Sequence, residues 1–356
     1  MRKRLFSIAF CLVALLALAG CGSNTATNGA VGTNAKSDVL KVTVAAQNNS
    51  GQVFQYMAKA HNFLAEEGVD VDMVYINNGT DAFTALAGGK VDVISTYGTG
   101  GPLIQIAKGQ DFTMFGGYMI IGETPCFGKP ETEWKGLESF RGKKIGITRG
   151  GTPDIVLKGI LHDAGLLNDV TFIEYKKNQE VLQAIASGEV DFGATATGYE
   201  LQAADLGLEV KMWPDEYWHD HSCCRMIATG KWLKDPKNQE ALYRLLRAYL
   251  RAEEAMQGNM DEVVDLVAKN LDLDKPTITS FVKSPHMKYD TDPYKNSVVR
   301  MWNKMGKFGY LSDNEVKIED HINTAIYKKA LESLIKDYPN SQFFKDKLVQ
   351  FNANNS

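Results

Sequence analysis

One short block occurs twice in this chain and limits what it can fold into. Gly88-Gly89-Lys90-Val91-Asp92 and Ser187-Gly188-Glu189-Val190-Asp191 each follow a helical pattern and lead into a strand pattern. Around the first copy, strand patterns at 41–47, 71–76 and 91–96, and a fourth beginning at 112–115, alternate with helical stretches near 52–66, 81–86 and 102–108. Around the second, strands at 144–148, 170–175 and 190–195 alternate with helices at 153–164 and 179–187. Short strands spaced by helices imply parallel βαβ units. Their repetition predicts two similar α/β lobes. After Thr229 the pattern turns helical: Leu242, Leu245, Leu246, Tyr249 and Leu250 recur at i, i+3, i+4, i+7 and i+8. Val263, Val264 and Val267 continue it, and Ile322, Ile326 and Leu334 are assigned to a final helix. These helices are expected to pack back on the first lobe, and the tail from Asn352 to Ser356 is read as disordered.

The amino terminus carries Arg2, Lys3 and Arg4, then an apolar run from Leu5 to Ala19 broken only by Ser7. A run of about 15 residues is short for a bilayer span but suits the apolar region of a signal peptide. Leu18-Ala19-Gly20-Cys21 resembles the bacterial lipobox. That resemblance implies cleavage before Cys21, a lipid on its sulfur, and a protein anchored to the extracytoplasmic face of the cell membrane. The alternative is an ordinary signal peptide with an incidental cysteine. Residues 1–20 are thus expected to be the signal and 21–37 a polar, flexible tether. The remainder exceeds one ordinary core, in keeping with two lobes. Net charge is −4 with no basic block, which gives nucleic-acid binding no support.

In open α/β sheets, ligands sit beyond the carboxyl ends of the strands. Four such ends stand out. The first holds Gln47, Asn48 and Ser50; helix capping explains part of its polarity. The second, Tyr97-Gly98-Thr99-Gly100-Gly101-Pro102, combines permissive glycines with a proline suited to a helix start, so free N–H groups there attract an anion or carbonyl. The third contains Gly151 and Thr152, with Thr152 read as an N-cap and Pro153 as the first helical residue. It matches neither a Walker A loop nor a dinucleotide fingerprint. The fourth contains Thr195 and Thr197. In each case a plain turn or cap is the competing explanation. Farther on, Trp213 to His221 is an aromatic stretch suited either to a planar ligand or to packing on the second lobe; His221 is its candidate contact. The spacing of His219, His221, Cys223 and Cys224 departs from structural zinc sites, so no metal and no cofactor are expected. No local catalytic constellation is visible.

The block Gly-Lys-Val-Asp-Val, the stretch from Leu137 to Ile147 (LESFRGKKIGI), Ala184 to Asp191, and Met301-Trp302-Asn303-Lys304-Met305-Gly306 resemble the nitrate/sulfonate/taurine-type solute-binding proteins. The likeness spans roughly residues 40–310. It implies a type II two-lobed periplasmic-binding-protein fold, with a helical C-terminal extension, closing on its ligand by a hinge. Residues 38–120 and 230–356 would form lobe 1, and 121–229 lobe 2. It further implies a monomeric, non-enzymatic receptor with ABC permease and ATPase subunits as partners. Two alternatives are a thiamine-precursor-synthase-like enzyme, faintly echoed by His61 and Cys223-Cys224, and a ligand-sensing partner of a membrane receptor. His219 to Arg225 departs from the family pattern. In receptors of this kind the chain crosses between lobes and back. The crossings are expected near 118–129 and 222–229, which would bring Cys126 toward Cys223 or Cys224. One disulfide among these three is allowed; a vicinal bridge is the rival pairing.

Overall fold

The computed structural model of the chain describes residues 38–47, 51–311 and 315–356. The signal, Cys21, the tether, Asn48 and Ser50 lie outside the described residues. Eleven strands form among the described residues: β1 (Leu40–Ala46), β2 (Val69–Tyr75), β3 (Val93–Ile94), β4 (Phe112–Ile121), β5 (Cys126–Gly128), β6 (Lys144–Thr148), β7 (Thr171–Tyr175), β8 (Phe192–Ala194), β9 (Glu209–Met212), β10 (Cys224–Thr229) and β11 (Lys288–Tyr289). They build two sheets, ordered β11-β4-β10-β3-β1-β2 and β7-β6-β8-β5-β9.

The repeated block does the same work in both sheets. Asp92 accepts the Thr43 N–H through Oδ2 (2.8 Å) and returns its own N–H to the Thr43 carbonyl (2.9 Å). Asp191 does the same with Lys144, at 2.9 Å in each direction. Each aspartate therefore pins the strand it precedes to its parallel neighbour. Gly89 (φ 65°) and Gly188 (φ 81°) turn the chain out of the preceding helix through the left-handed region, where a side chain is strained. The parallel core strands are the expected ones: β1 lies between β2 and β3, and β6 between β7 and β8.

Sequence periodicity missed four strands, three of them two to four residues long and paired antiparallel. β5 runs between β8 and β9, β11 lies at the edge beside β4, and β10 runs antiparallel between β3 and β4. Because β4 extends to Ile121 and β10 begins at Cys224, the segments joining the sheets are 122–125 and 213–223. The expected return at 222–229 is instead a central strand of the first sheet. Close approach here depends on Gly117 in β4. A Cβ at that position would lie 2.2 Å from the Asp292 carbonyl and 2.7 Å from Arg225 Nη1.

The helix Pro236–Met256 is capped by Asp235, which accepts the Lys237 N–H. Its predicted apolar face, Leu242 to Leu250, is fully buried against the first sheet's other helices. Burying each such leucine stabilises by roughly 1.5–3 kcal/mol. The C-terminal region differs from expectation. Ile322 precedes the helix Ala325–Asp337, and a further helix, Gln342–Asn354, follows. The tail is ordered because Phe351 is buried and Lys347 reaches Glu253 (2.5 Å) and Asp290 (2.6 Å) in the interior. The helix Lys295–Lys307 packs on Thr152–Asp163, so Ile94, Leu103 and Met114 share one apolar cluster with Ile155, Phe192 and Met301.

Candidate functional site

The glycine-bordered helix starts at Gly100 and Thr152 face each other directly. The Gly100 N–H is directed at Thr152 Oγ1 (3.5 Å). A Cβ on Gly98 would lie 2.4 Å from that hydroxyl, and one on Gly100 2.2 Å from Ile155 Cδ1. Thr99, fully buried, spends both its N–H (2.7 Å) and hydroxyl (3.1 Å) on the Cys223 carbonyl. Gly151, rather than Thr152, is the cap residue of its helix; Thr152 is the first helical position. Gly151 donates to the Thr148 carbonyl in the preceding turn (3.2 Å).

Gln47 sits apart from this contact, its N–H on Thr96 Oγ1 (3.1 Å). Tyr97 is buried and donates its hydroxyl to the Ile76 carbonyl (2.5 Å). Thr195 hydrogen-bonds its own neighbourhood, through its N–H to Pro125 (3.2 Å) and its hydroxyl to Ala196 (3.3 Å). Thr197 donates to the Glu123 carbonyl (2.7 Å), which ties the end of β8 to the outgoing crossing. His221 is fully buried and neither ring nitrogen makes a well-formed hydrogen bond, although the ring lies close enough to favour the Cys223 thiolate. Trp218 packs against Gly159 and belongs to the apolar core, so packing wins there. Trp213 stacks on His286 at 4.0 Å between ring centroids.

What sequence reading missed is a seam of buried polar groups along the two crossings. Glu123 is 3% exposed with Oε2 unpartnered; Thr124 Oγ1 and Ser222 Oγ are buried and unpartnered too. Glu200 follows Thr197 by three residues and has a free Oε1, while its Oε2 takes the Gly198 N–H (2.9 Å). Burial, with the Glu200 and Asp215 carboxylates nearby, pushes Glu123 up to about 8, against the lowering effect of the Ser284 hydroxyl. Burial also pushes Glu200 to about 6. Tyr289, whose hydroxyl is unpartnered, is raised by burial and by Glu123. A charged-polar pair one residue beyond the ten-residue, largely apolar β4 was the available signal for Glu123 and Thr124. Glu200 gave none, since an acidic residue in a first helical turn is ordinary.

The bridge that the sequence allowed among the three cysteines does not form. Cys126, Cys223 and Cys224 are all free and buried. Cys126 pairs with Ala194 and Met212 in the second sheet, whereas Cys224 pairs with Met119 in the first. Cys223 and Cys224 Sγ lie 3.5 Å apart. The Cys224 hydrogen bond, His221 and Arg225 favour the Cys223 thiolate, which raises Cys224 in turn. Arg225 is fully buried and donates to the Met119 (2.5 Å) and Asp292 (2.6 Å) carbonyls. Two open concavities, about 340 and 500 Å³, lie on the outer face of Lys295–Lys307 and beside Gly230 and Ile322. Neither is lined by any of the unpartnered buried groups, so the seam is the stronger candidate. Among the described residues no cluster of three or more histidines, cysteines or carboxylates could hold a metal ion, and no helix is long and apolar enough to cross a membrane.

Two sheets joined by short crossings, with unsatisfied polar groups along the join, define a two-lobed periplasmic-binding-protein fold with C-terminal helices. The chain belongs to the NMT1/THI5-like family, whose profile matches residues 49–263. A binding protein of Brucella abortus (strain 2308) is 27% identical over 161 residues, 42% of this chain and 48% of that protein, so the chain spans about half the length of that relative. The formylaminopyrimidine-binding protein of Halalkalibacterium halodurans is 31% identical over 106 residues, 30% of each chain. Similar folds include the periplasmic nitrate-binding protein NrtA from Synechocystis PCC 6803 (TM-score 0.69, 15% identity, 85% of this chain and 90% of that one). Another is the periplasmic aliphatic sulphonate-binding protein SsuA from Escherichia coli (TM-score 0.65, 20% identity, 80% and 92%).

Proposed function

We propose that this protein is an extracytoplasmic solute-binding lipoprotein that closes two lobes on a small solute and delivers it to an ABC permease and its ATPase. The observation that carries this is the seam along 122–125 and 213–223, where Glu123 Oε2, Thr124 Oγ1, Ser222 Oγ and the His221 ring nitrogens are buried without well-formed hydrogen bonds. Buried polar groups are almost always hydrogen-bonded, and an orphan costs about 1–3 kcal/mol. Several orphans at the join between two sheets are groups that a polar solute bound there would satisfy. Lobe 1 carries the first sheet and the C-terminal helices, and lobe 2 the second sheet. Thr99, Gly100 and Thr152 meet where the lobes touch, so they set the closed contact. The relatives' names for nitrate, aliphatic sulphonate and formylaminopyrimidine bound the solute to that size range.

The test is binding by the mature chain without its lipid. Thermal-shift and calorimetric screening against anions, sulfonates, pyrimidines, amines and flavins should find a solute. At 100 times its dissociation constant it adds about 2.7 kcal/mol to stability. Cells lacking the gene should then lose high-affinity uptake of that solute. Undiminished uptake refutes the importer role, and no binding across the panel refutes the receptor role.

A further inference from the structure

We infer that Cys223 and Cys224 form a thiol–disulfide exchange site, in which Cys223 attacks a small disulfide and Cys224 resolves the product into a bridge between the two. Both are thiols in this structure, and their Sγ atoms lie 3.5 Å apart. A bond needs about 2.05 Å, so the sulfurs must close by roughly 1.5 Å. Cys223 is the nucleophile of the pair. The Cys224 thiol donates to it, and the His221 ring and the Arg225 guanidinium stand beside it, so its thiolate is favoured against the cost of burial. The thiolate is the attacking form. His221 is fully buried with neither ring nitrogen in a well-formed hydrogen bond, which leaves it free to serve this thiol. The Cys223 sulfur fills the space that a side chain on Gly122 would take, 2.3 Å from that Cβ position. It therefore sits where the two joining segments meet. Both cysteines are nearly buried as they stand (5% and 4% exposed), so exchange proceeds as those segments part. Cys126 has no thiol partner: it pairs with Ala194 and Met212 in the other sheet, and burial keeps it protonated.

The Cys223 thiolate attacks one sulfur of the disulfide RSSR. The oxidant's S–S bond breaks, a Cys223–SR mixed disulfide forms and RS⁻ leaves, taking the Cys224 proton. Cys224 then attacks Cys223 Sγ and expels a second RS⁻, which takes a proton from solvent. Two protein thiols are oxidised and one disulfide is reduced to two RSH. The bridge joins adjacent residues, whose Cα atoms are about 3.8 Å apart, closer than the roughly 4.4–6.8 Å of a relaxed bridge. Strained disulfides are readily reduced, so the bridge is reversible. The peptide between the two residues lies within the new ring and must rotate. It carries the Cys223 carbonyl, which takes both the N–H and the hydroxyl of Thr99. The β4–β10 ladder already shifts register between Cys224 and Arg225, and Ser222 already has φ 61°, so the backbone can turn here. Oxidation therefore loosens Thr99, whose neighbour Gly100 meets Thr152.

The experiment exposes the purified protein to glutathione disulfide, quenches it with acid, alkylates the unfolded chain with N-ethylmaleimide and maps tryptic peptides by mass. Cys223 and Cys224 share the peptide Met212–Arg225, and Cys126 lies in Gly109–Lys135. Met212–Arg225 should take up no maleimide, and should take up two after dithiothreitol, while Gly109–Lys135 stays alkylated throughout. Cys224→Ser should instead hold glutathione on Cys223. Cys223→Ser should react roughly tenfold more slowly, and His221→Gln should slow bridging by a similar factor. The bridged protein should melt roughly 2–6 °C below the reduced one, and Thr99→Val, which lacks one of the two bonds, should show a smaller drop. The parent result decides the pair whether or not each variant folds. Full alkylation of Met212–Arg225 after prolonged exposure overturns the exchange site, as does a stable glutathione adduct on the parent or equal oxidation of Cys126. An equal drop in melting for the parent and Thr99→Val overturns the coupling through Thr99.

Discussion

Thr99 places two donors on one acceptor: its N–H (2.7 Å) and its hydroxyl (3.1 Å) both reach the carbonyl of Cys223. This ties the start of the helix Gly100–Ala107 to the last residue before β10. The next residue, Gly100, directs its N–H at Thr152 Oγ1 (3.5 Å) at the start of the helix Thr152–Asp163, so Thr99 links that contact to the segment that holds His221 and Ser222.

Thr99→Val removes the hydroxyl and leaves the backbone bond. The expected cost is about 0.5–1.5 kcal/mol, a melting point lower by roughly 2–4 °C for each kcal/mol in a chain of this size. Solute affinity should weaken with it, because the crossing is held less firmly. An unchanged melting point would show that the bond contributes nothing.

Glu123 makes the protein sensitive to alkali. Its folded value, about 8, lies above its ordinary 4.5, so its favourable contribution is complete below 4.5 and is lost as pH rises through 8. Glu123→Gln should therefore leave stability nearly unchanged at pH 4 and raise it at pH 8.5 by on the order of 1–3 kcal/mol. Denaturant melts of both proteins across that range check the sign; a gain at pH 4 only would contradict it.

The three free thiols should differ in reactivity. Burial pushes Cys126 up to about 12, while the neighbours of Cys223 lower it. Because the thiolate is the nucleophile, iodoacetamide at pH 7 should label Cys223 in the native protein well before Cys126. Peptide mass mapping over time measures this. Equal rates at the two sites would rule out the proposed thiolate stabilisation.

Lys347 neutralises a buried acidic pair from the final helix. Removing one member of a buried ion network strands the other charges, so Lys347→Met should cost roughly 3–5 kcal/mol. Urea unfolding reads this directly. A change below about 1 kcal/mol would mean the C-terminal helix is not anchored through this residue.

Cys21→Ala tests the anchor. The variant should leave the membrane fraction, as an unprocessed precursor or as soluble protein, since the sulfur that would carry lipid is gone. Persistence of processed protein in washed membranes would exclude lipid attachment at this residue.

Much of this protein was legible in its sequence because the signals are local. A helix face repeats every 3.6 residues, so Leu242 to Leu250 revealed their burial without any knowledge of their partners. The repeated Gly-charge-Val-Asp block marked equivalent positions in two sheets because the block itself is a few residues long, although the strands its aspartates tie to, at Thr43 and Lys144, lie 49 and 47 residues earlier. The strands β5, β9 and β11 escaped notice because two to four residues hold no readable period, and antiparallel partners distant in the chain define them. The seam was hidden for the same reason at greater range. Whether a carboxyl is solvated or buried depends on what covers it. Glu123 is covered by chain that arrives with Glu200, Ser284 and Tyr289, and Asp290 is matched by Lys347 from the last helix. Hydrophobic pattern and turn chemistry determined the lobes. Desolvation, a property of the assembled tertiary structure, decided which polar residues are buried where the two sheets join.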